Sequence, residues 1–278
     1  GRLSALLLSK RRHSGPAVSD DSRLRVTVLG SSNAIPRPKR ACSAYLIEGG
    51  GRAILADLGS GSLGNLNAHG TAESLDAVVI SHMHADHFLD IIPMRYTLKY
   101  GPRSNDKKVE LWLPPGGEEM LRRMVSAFVP DSTTDFLSEV FRVGTYDPGH
   151  GLEVGDLKIR FAPTVHYIPT FAMRCDCNGA SVTYSADTAP AESIVRLARK
   201  TGMFLCEATL RKGGDDSEPR GHCSAREAGV MAKEAGVDRL IITHYPAEFA
   251  AGDLIGEART VFEGEIAVAD DHLAYRIV

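Results

Sequence analysis

The chain has 278 residues, 43% of them hydrophobic, and a formal net charge of −3. This is the composition of a globular protein with a sizeable core, and the slightly acidic balance excludes a surface coated for non-specific nucleic-acid binding. No apolar run reaches the length of a transmembrane helix, and five scattered cysteines exclude a disulfide framework and point to a reducing compartment, the cytosol.

Residues 1–22 are basic and free of acidic residues until Asp20. They read as a flexible tail, a tag leftover or the remnant of an organellar presequence, outside the fold. The folded part is expected over 23–278 as one domain, because no Pro-, Gly- or Ser-rich linker divides it. "RLRVTVLG" (23–30) alternates as a β-strand does and ends in glycine. "SAYLIE" (43–48) and "RAILAD" (52–57) are strands joined by the turn signal "GGG".

"LDAVVI" (75–80) is a continuous apolar run, the mark of a strand covered on both faces. "FLDIIPMRYTLKYG" reads as a helix in which Pro93 fits only the first turn or a kink. "VELWLP" and "LKIRFAP" are strands, and "GEEMLRRMVSAF" is a helix between them. Cys175-Asp176-Cys177 lacks the spacing of a zinc knuckle and reads as a strand with one thiol on the core face.

In the second half, "ASVTYSAD" (180–187) and "MFLCEAT" are strands around the helix "AESIVRLARK". "SAREAGVMAKEAG" (224–236) is a helix with Ser224 as N-cap, Glu227 completing a capping box and Gly236 as its stop. "RLIITHYP" is a buried strand, and "HLAYRIV" closes the chain. The alternation predicts an α/β domain with β-rich halves and helices packed outside.

The densest chemical signal is "SHMHADHFLD" (81–90), at the exit of a buried strand and the start of a helix. His82 and His84, two apart in extended chain, project to one side. Asp86 and His87 then offer a second donor set beyond the turn, which is more than one metal ion takes from one segment. His166, Asp187 and His244 each follow an apolar strand, where open α/β sheets place their sites. Together these are five histidines and two aspartates, enough for two ions.

"HMHADH", the isolated His166, "SADT" and "ITHYP", in that order, resemble the metallo-β-lactamase superfamily of binuclear hydrolases. The resemblance implies a four-layer αβ/βα sandwich with metals in a cleft between two sheets. It implies that His82, His84 and His166 hold one ion, that Asp86, His87 and His244 hold the other, and that Asp187 bridges them. Zinc is the expected metal, with Mn, Fe or Co as alternatives set by supply. "LADLGSG" (55–61) resembles the family's early Asp-Gly motif, whose Asp57 would orient a ligand histidine.

Aspartate rather than cysteine at 187 points to the phosphodiesterase and tRNase Z branch. "CEAT" (206–209) resembles that branch's HEAT motif, with Cys206 in place of His, and His222-Cys223-Ser224 stands for its HST motif. The resemblance assigns Glu207 and His222 to a relay that protonates the leaving oxygen. Asp86 would take the proton of the attacking water, so that a metal-held hydroxide opens the ester. "SSNAIPRPKRACS" (31–43) partly resembles a substrate loop, putting Lys39 and Arg40 near the cleft mouth, with Tyr167 and Phe171 in the loop after His166.

Two departures shape the expected substrate. About twenty residues separate His166 from Asp187, too few for the tRNA-gripping arm of many tRNase Z enzymes, and the segment after His244 lacks that family's ending. The expectation is therefore a small phosphodiester such as a cyclic nucleotide. The alternative is tRNA 3′ processing, with RNA as partner, and a further one is another ester hydrolase acting on a sulfate ester, lactone or β-lactam. A cytoplasmic homodimer without membrane attachment is expected.

Overall fold

The computed structural model describes residues 24–101, 107–129, 133–211 and 220–277. The expected tail over 1–22 and the first residue of the expected domain, at 23, lie outside the described residues. The described residues form two sheets of seven strands each. The first contains β1 (Leu24–Gly30), β2 (Ala44–Gly49), β3 (Arg52–Ala56), β4 (Ala77–Val79), β5 (Val109–Leu113), β6 (Phe141–Thr145) and β14 (Ala274–Ile277). The second contains β7 (Leu152–Val154), β8 (Leu157–Pro163), β9 (Phe171–Cys177), β10 (Ala180–Tyr184), β11 (Met203–Glu207), β12 (Arg239–Thr243) and β13 (Glu265–Val268).

The period of two sorts each strand's side chains between two cores. Tyr45 and Ile47 of β2 join Val182, Tyr184, Leu205 and Ile241 in the core between the sheets. Leu46, on the opposite face of β2, packs with Leu63, Ile91, Met94 and Leu121 under the first helical layer. Phe204 and Cys206 of β11 pack with Ile194, Met231 and Leu254 under the second. The layers therefore run helix, sheet, sheet, helix, the four-layer sandwich expected from the sequence.

The first layer carries α1 (Ser62–Leu66), α2 (Ala85–Phe88), α3 (Ile91–Tyr100), α4 (Gly117–Ser126) and α5 (Thr133–Ser138). The second carries α6 (Glu192–Leu197), α7 (Ala225–Ala235) and α8 (Ala251–Arg259). The capping box at Ser224 and Glu227 is formed, and Gly236 ends α7 in the left-handed region at φ 64°. Among the described residues no helix is long and apolar enough to cross a membrane.

Several expectations are corrected. The helix expected over 88–101 spans Ile91–Tyr100 and follows the short α2, with Asp90 between them; Pro93 sits in its first turn, as expected, where the missing N–H costs nothing. Cys175 and Cys177 both face the core between the sheets, because residues two apart on a strand share a face. The strands expected to run to 80, 187 and 246 stop at Val79, Tyr184 and Thr243. The chain leaves the ladder there to form the site.

β3 to β6 run parallel, as do β10 to β13. Asp57, the motif from Ser81, Asp187, Glu207 and His244 therefore all emerge at C-terminal strand ends, at the rim between the sheets. On β11, Met203 and Leu205 face the other sheet, so Glu207 falls on that same face at the strand's end.

Candidate metal centre

All seven ligand-type residues come together. The donor atoms of His82, His84, His166 and Asp187 lie within 4.8 Å of one another, as do those of Asp86, His87, Asp187 and His244. Asp187 belongs to both groups, and its Oδ1 and Oδ2 face different histidines. Oδ2 lies 3.7 Å from His82 Nε2 and from His166 Nε2. Oδ1 lies 3.4 Å from His87 Nε2 and 3.5 Å from His244 Nε2.

In four of the five histidines the outward nitrogen is tied, which selects the inward donor. His166 Nδ1 donates to the Gly221 carbonyl at 2.8 Å, leaving Nε2 for the cluster. Thr209 gives its hydroxyl proton to His244 O at 3.0 Å, so His244 Nδ1 donates to the Thr209 oxygen at 2.9 Å. His87 Nδ1 donates to Asp57 Oδ2 at 2.7 Å. Ser81 Oγ donates to the same Asp57 at 2.8 Å and accepts from His82 Nδ1 at 2.9 Å. Metal-ligating histidines are fixed in this way in general.

Asp57 is wholly buried and also accepts Tyr184 Oη at 2.9 Å and Ser81 N at 2.7 Å. It stands at φ 61° and His244 at φ 50°, a left-handed backbone that non-glycine residues adopt only under constraint. The glycine of the same motif is required sterically. A Cβ on Gly59 would meet Asp86 O at 2.0 Å, so only glycine lets the two segments close on each other.

The donor set fits divalent cations. His82 Nε2, His87 Nε2 and Asp187 Oδ1 are buried polar atoms without a hydrogen bond, an arrangement costly for a metal-free core and natural for ligands. His166 Nε2 and His84 Nδ1 face each other at 2.9 Å, two ring nitrogens aimed at one point. Burial, reinforced by His87, pushes His82 well below the usual imidazole range, and burial also lowers His84 and His166. For His87 burial opposes protonation, yet Asp187 and Asp57 outweigh it and hold its pKa well up. His244 is raised against burial by Asp187 and Asp86.

Beside this cluster, His222 Nδ1 lies 2.9 Å from Glu207 Oε1. That oxygen also accepts Thr188 N at 2.7 Å, and Oε2 accepts Thr209 N at 3.1 Å. Glu207, His222 and His244 form a third compact group. A cavity of about 300 Å³ opens here, lined in part by Asn33, His84, Asp86, Thr209 and His222.

The proposed substrate-binding residues are placed differently. Arg40 pairs with Asp270 at 3.2 Å and lies over the Tyr245 ring, and exposed Lys39 stands at φ 66°; neither lines the cavity. Phe171 is the first residue of β9 rather than a loop residue, and it packs edge-on to Tyr146 against the core. Tyr167 does not line the cavity either, but it is half-exposed and its ring lies 5.8 Å from that of His222, which does. Sequence reasoning missed Ser81, Tyr184, Thr209 and Asn33. Ser81, Thr209 and Asn33 lie inside the stretches 81–90, 206–209 and 31–43 without being picked out there, and nothing distinctive marks Tyr184.

The model of a beta-lactamase superfamily domain matches residues 52–245. Over 246 residues the chain is 32% identical to a probable metallo-hydrolase, YhfI, of Bacillus subtilis, covering 88% of this chain and 97% of that protein. It is 30% identical over 272 residues to a ribonuclease Z of Mycobacterium bovis, covering 89% and 96%. The crystal structure of the metallo-β-lactamase fold protein YhfI superposes with a TM-score of 0.83 at 28% identity, covering 92% of this chain and 100% of that one.

Proposed function

The chain belongs to the metallo-β-lactamase superfamily and is a metal-dependent hydrolase, and from that premise we propose that it cleaves small phosphodiesters such as cyclic nucleotides. The observation that carries the reading is the Glu207–His222 pair beside a seven-ligand cluster. A proton donor matters most for a poor leaving group, and the alkoxide of a phosphodiester is one.

Two divalent ions, zinc first, fit the two donor groups and when bound supply Lewis acidity to water and to the phosphoryl oxygens. His82, His84 and His166 would hold one and Asp86, His87 and His244 the other, with Asp187 common to both donor groups. Asp57 orients His87 directly and His82 through Ser81. Asp86 accepts the proton of the attacking water. His222 donates from Nε2 to the departing oxygen, while Glu207, held by Thr188 N and Thr209 N, steadies the imidazolium through Nδ1. Tyr167, at the rim, meets the organic part of the substrate. A cytosolic homodimer completes the reading, and the five buried free thiols suit that compartment.

Two features support a small substrate over RNA. Between His166 and Asp187 the chain makes the β9–β10 hairpin, which turns at Asn178-Gly179 and carries no arm. The net charge of −3 offers little to a polyanion. The likeness to a ribonuclease Z favours the second reading, tRNA 3′ processing. Hydrolysis of bis(p-nitrophenyl) phosphate against nitrocefin tests the class: turnover of the first alone supports a phosphodiesterase, and turnover of nitrocefin alone refutes it.

A further inference from the structure

The loop between β1 and β2 carries two arginines and a lysine, yet the described residues lining the cavity include no lysine or arginine. Both guanidinium groups serve the loop's own architecture. Arg37 donates to Tyr245 O at 3.1 Å and to Ser32 Oγ at 3.3 Å, and its Cζ lies 5.1 Å from the Tyr245 ring centre. Arg40 lies 5.3 Å from the same ring centre and pairs with Asp270. Asp271 anchors both stems, accepting Ser31 N, Ser31 Oγ and Ala41 N at 3.0, 2.8 and 2.7 Å. Ser32 bridges in parallel to Tyr245, the residue after His244.

What this clamp presents to the cavity is Asn33 and Ala34, of which Asn33 brings the polar side chain. Its Oδ1 accepts Ile35 N at 3.2 Å, which fixes the carboxamide and leaves Nδ2 as the end able to donate outward. Thr209, the other non-titrating polar side chain among the described residues lining the cavity, already gives its proton to His244 O. Asn33 comes from the first half of the chain and His222 from the second, and both line one space.

We infer that Asn33 is a substrate-binding residue whose Nδ2 donates to a non-bridging phosphoryl oxygen. The inference rests on the phosphodiesterase reading and deepens it. A fixed neutral donor binds the anion without repelling the metals, and being held in advance it needs no reorganisation as charge develops.

The test is Asn33→Asp in the metal-loaded enzyme, with Asn33→Ala beside it. Aspartate keeps the acceptor for Ile35 N, removes the donor and adds negative charge. The expected result is a roughly 10- to 100-fold loss of kcat/KM on bis(p-nitrophenyl) phosphate, the usual worth of a hydrogen bond to a charged group. Competitive inhibition by inorganic phosphate should weaken in parallel, with metal content and Tm unchanged, and alanine should show the smaller loss. If the parent enzyme turns over the diester but both variants stay within twofold in kcat/KM and phosphate inhibition, Asn33 has no such role and the phosphodiesterase reading stands. Loss of metal or of Tm in both variants would make Asn33 structural and overturn the inference. A parent enzyme inert on every phosphodiester would remove the reading and the inference together.

Discussion

His222 Nδ1 sits 2.9 Å from Oε1 of Glu207, a carboxylate with no exposed surface whose two oxygens are also bonded by the backbone N–H groups of Thr188 and Thr209. A buried acid held this firmly fixes the imidazole's orientation and commits Nδ1, so chemistry on substrate falls to Nε2. Replacing His222 by alanine should therefore lower turnover of a phosphodiester with an alkyl leaving group by roughly 100- to 10,000-fold. Metal content should be retained. The loss should shrink with p-nitrophenolate, which departs without a proton; equal losses on both substrates would remove His222 from the donor role.

Asp57 holds His87 directly and His82 through Ser81, so one carboxylate steadies a histidine of each donor group. Asp57→Asn should weaken metal affinity by about 10- to 100-fold, the common consequence of losing such support. Competition with a chromophoric chelator measures it. An unchanged affinity would leave Asp57 with a purely structural place in the fold.

The two donor groups differ in how ready they are for metal. His82, His84 and His166 are lowered by burial and so are neutral near pH 7, free to bind. His87 is held well above the ordinary imidazole range and His244 is raised, because Asp187 with Asp57 or Asp86 outweighs burial, so metal competes with a proton in this group. Loading should then release protons at neutral pH, and apparent affinity should rise with pH, most for the group of Asp86, His87 and His244. Calorimetric titrations in buffers of different ionisation enthalpy read the proton count, and zero release would contradict these shifts.

All five cysteines are buried, and burial pushes the Cys42 and Cys175 thiols up to about 12. At about pH 8 such a thiol is ionised to roughly one part in 10,000, which makes it a poor nucleophile. Native protein should react slowly with a thiol reagent, and all five should react once it is unfolded. Fast labelling of the native chain would show that the segments around these cysteines open.

The seven candidate ligands, which the fold brings together, were legible because each lies just past an apolar strand, where the local sequence alone says that a side chain reaches a rim. The network behind them was not. Tyr184 reaches Asp57 across 127 positions and Thr209 reaches His244 across 35, and hydroxyl side chains are too common for either to stand out. Where the Arg40 side chain goes was not legible, because a place near a cleft does not tell where a long side chain points, and the Tyr245 ring and Asp270 hold it. Among whole elements, α8 was missed because Gly252 and Gly256 dilute its helical signal, and β13 because it is a short edge strand. β6, β7, α1 and α5 are short enough that tertiary packing decides them.

The central claim is that the cleft is built for a small phosphodiester, and it is tested most directly by comparing kcat/KM for 3′,5′-cyclic AMP and for a precursor tRNA carrying a 3′ trailer. Both are measured with the same enzyme, metal and salt. The β9–β10 hairpin offers no arm, the chain carries a net charge of −3, and the cavity holds about 300 Å³. Binding energy must then come from the cleft, so the account predicts the larger kcat/KM for the cyclic nucleotide and only weak, salt-sensitive handling of the tRNA. Accurate removal of the trailer with the higher kcat/KM would contradict it and make tRNA 3′ processing the function.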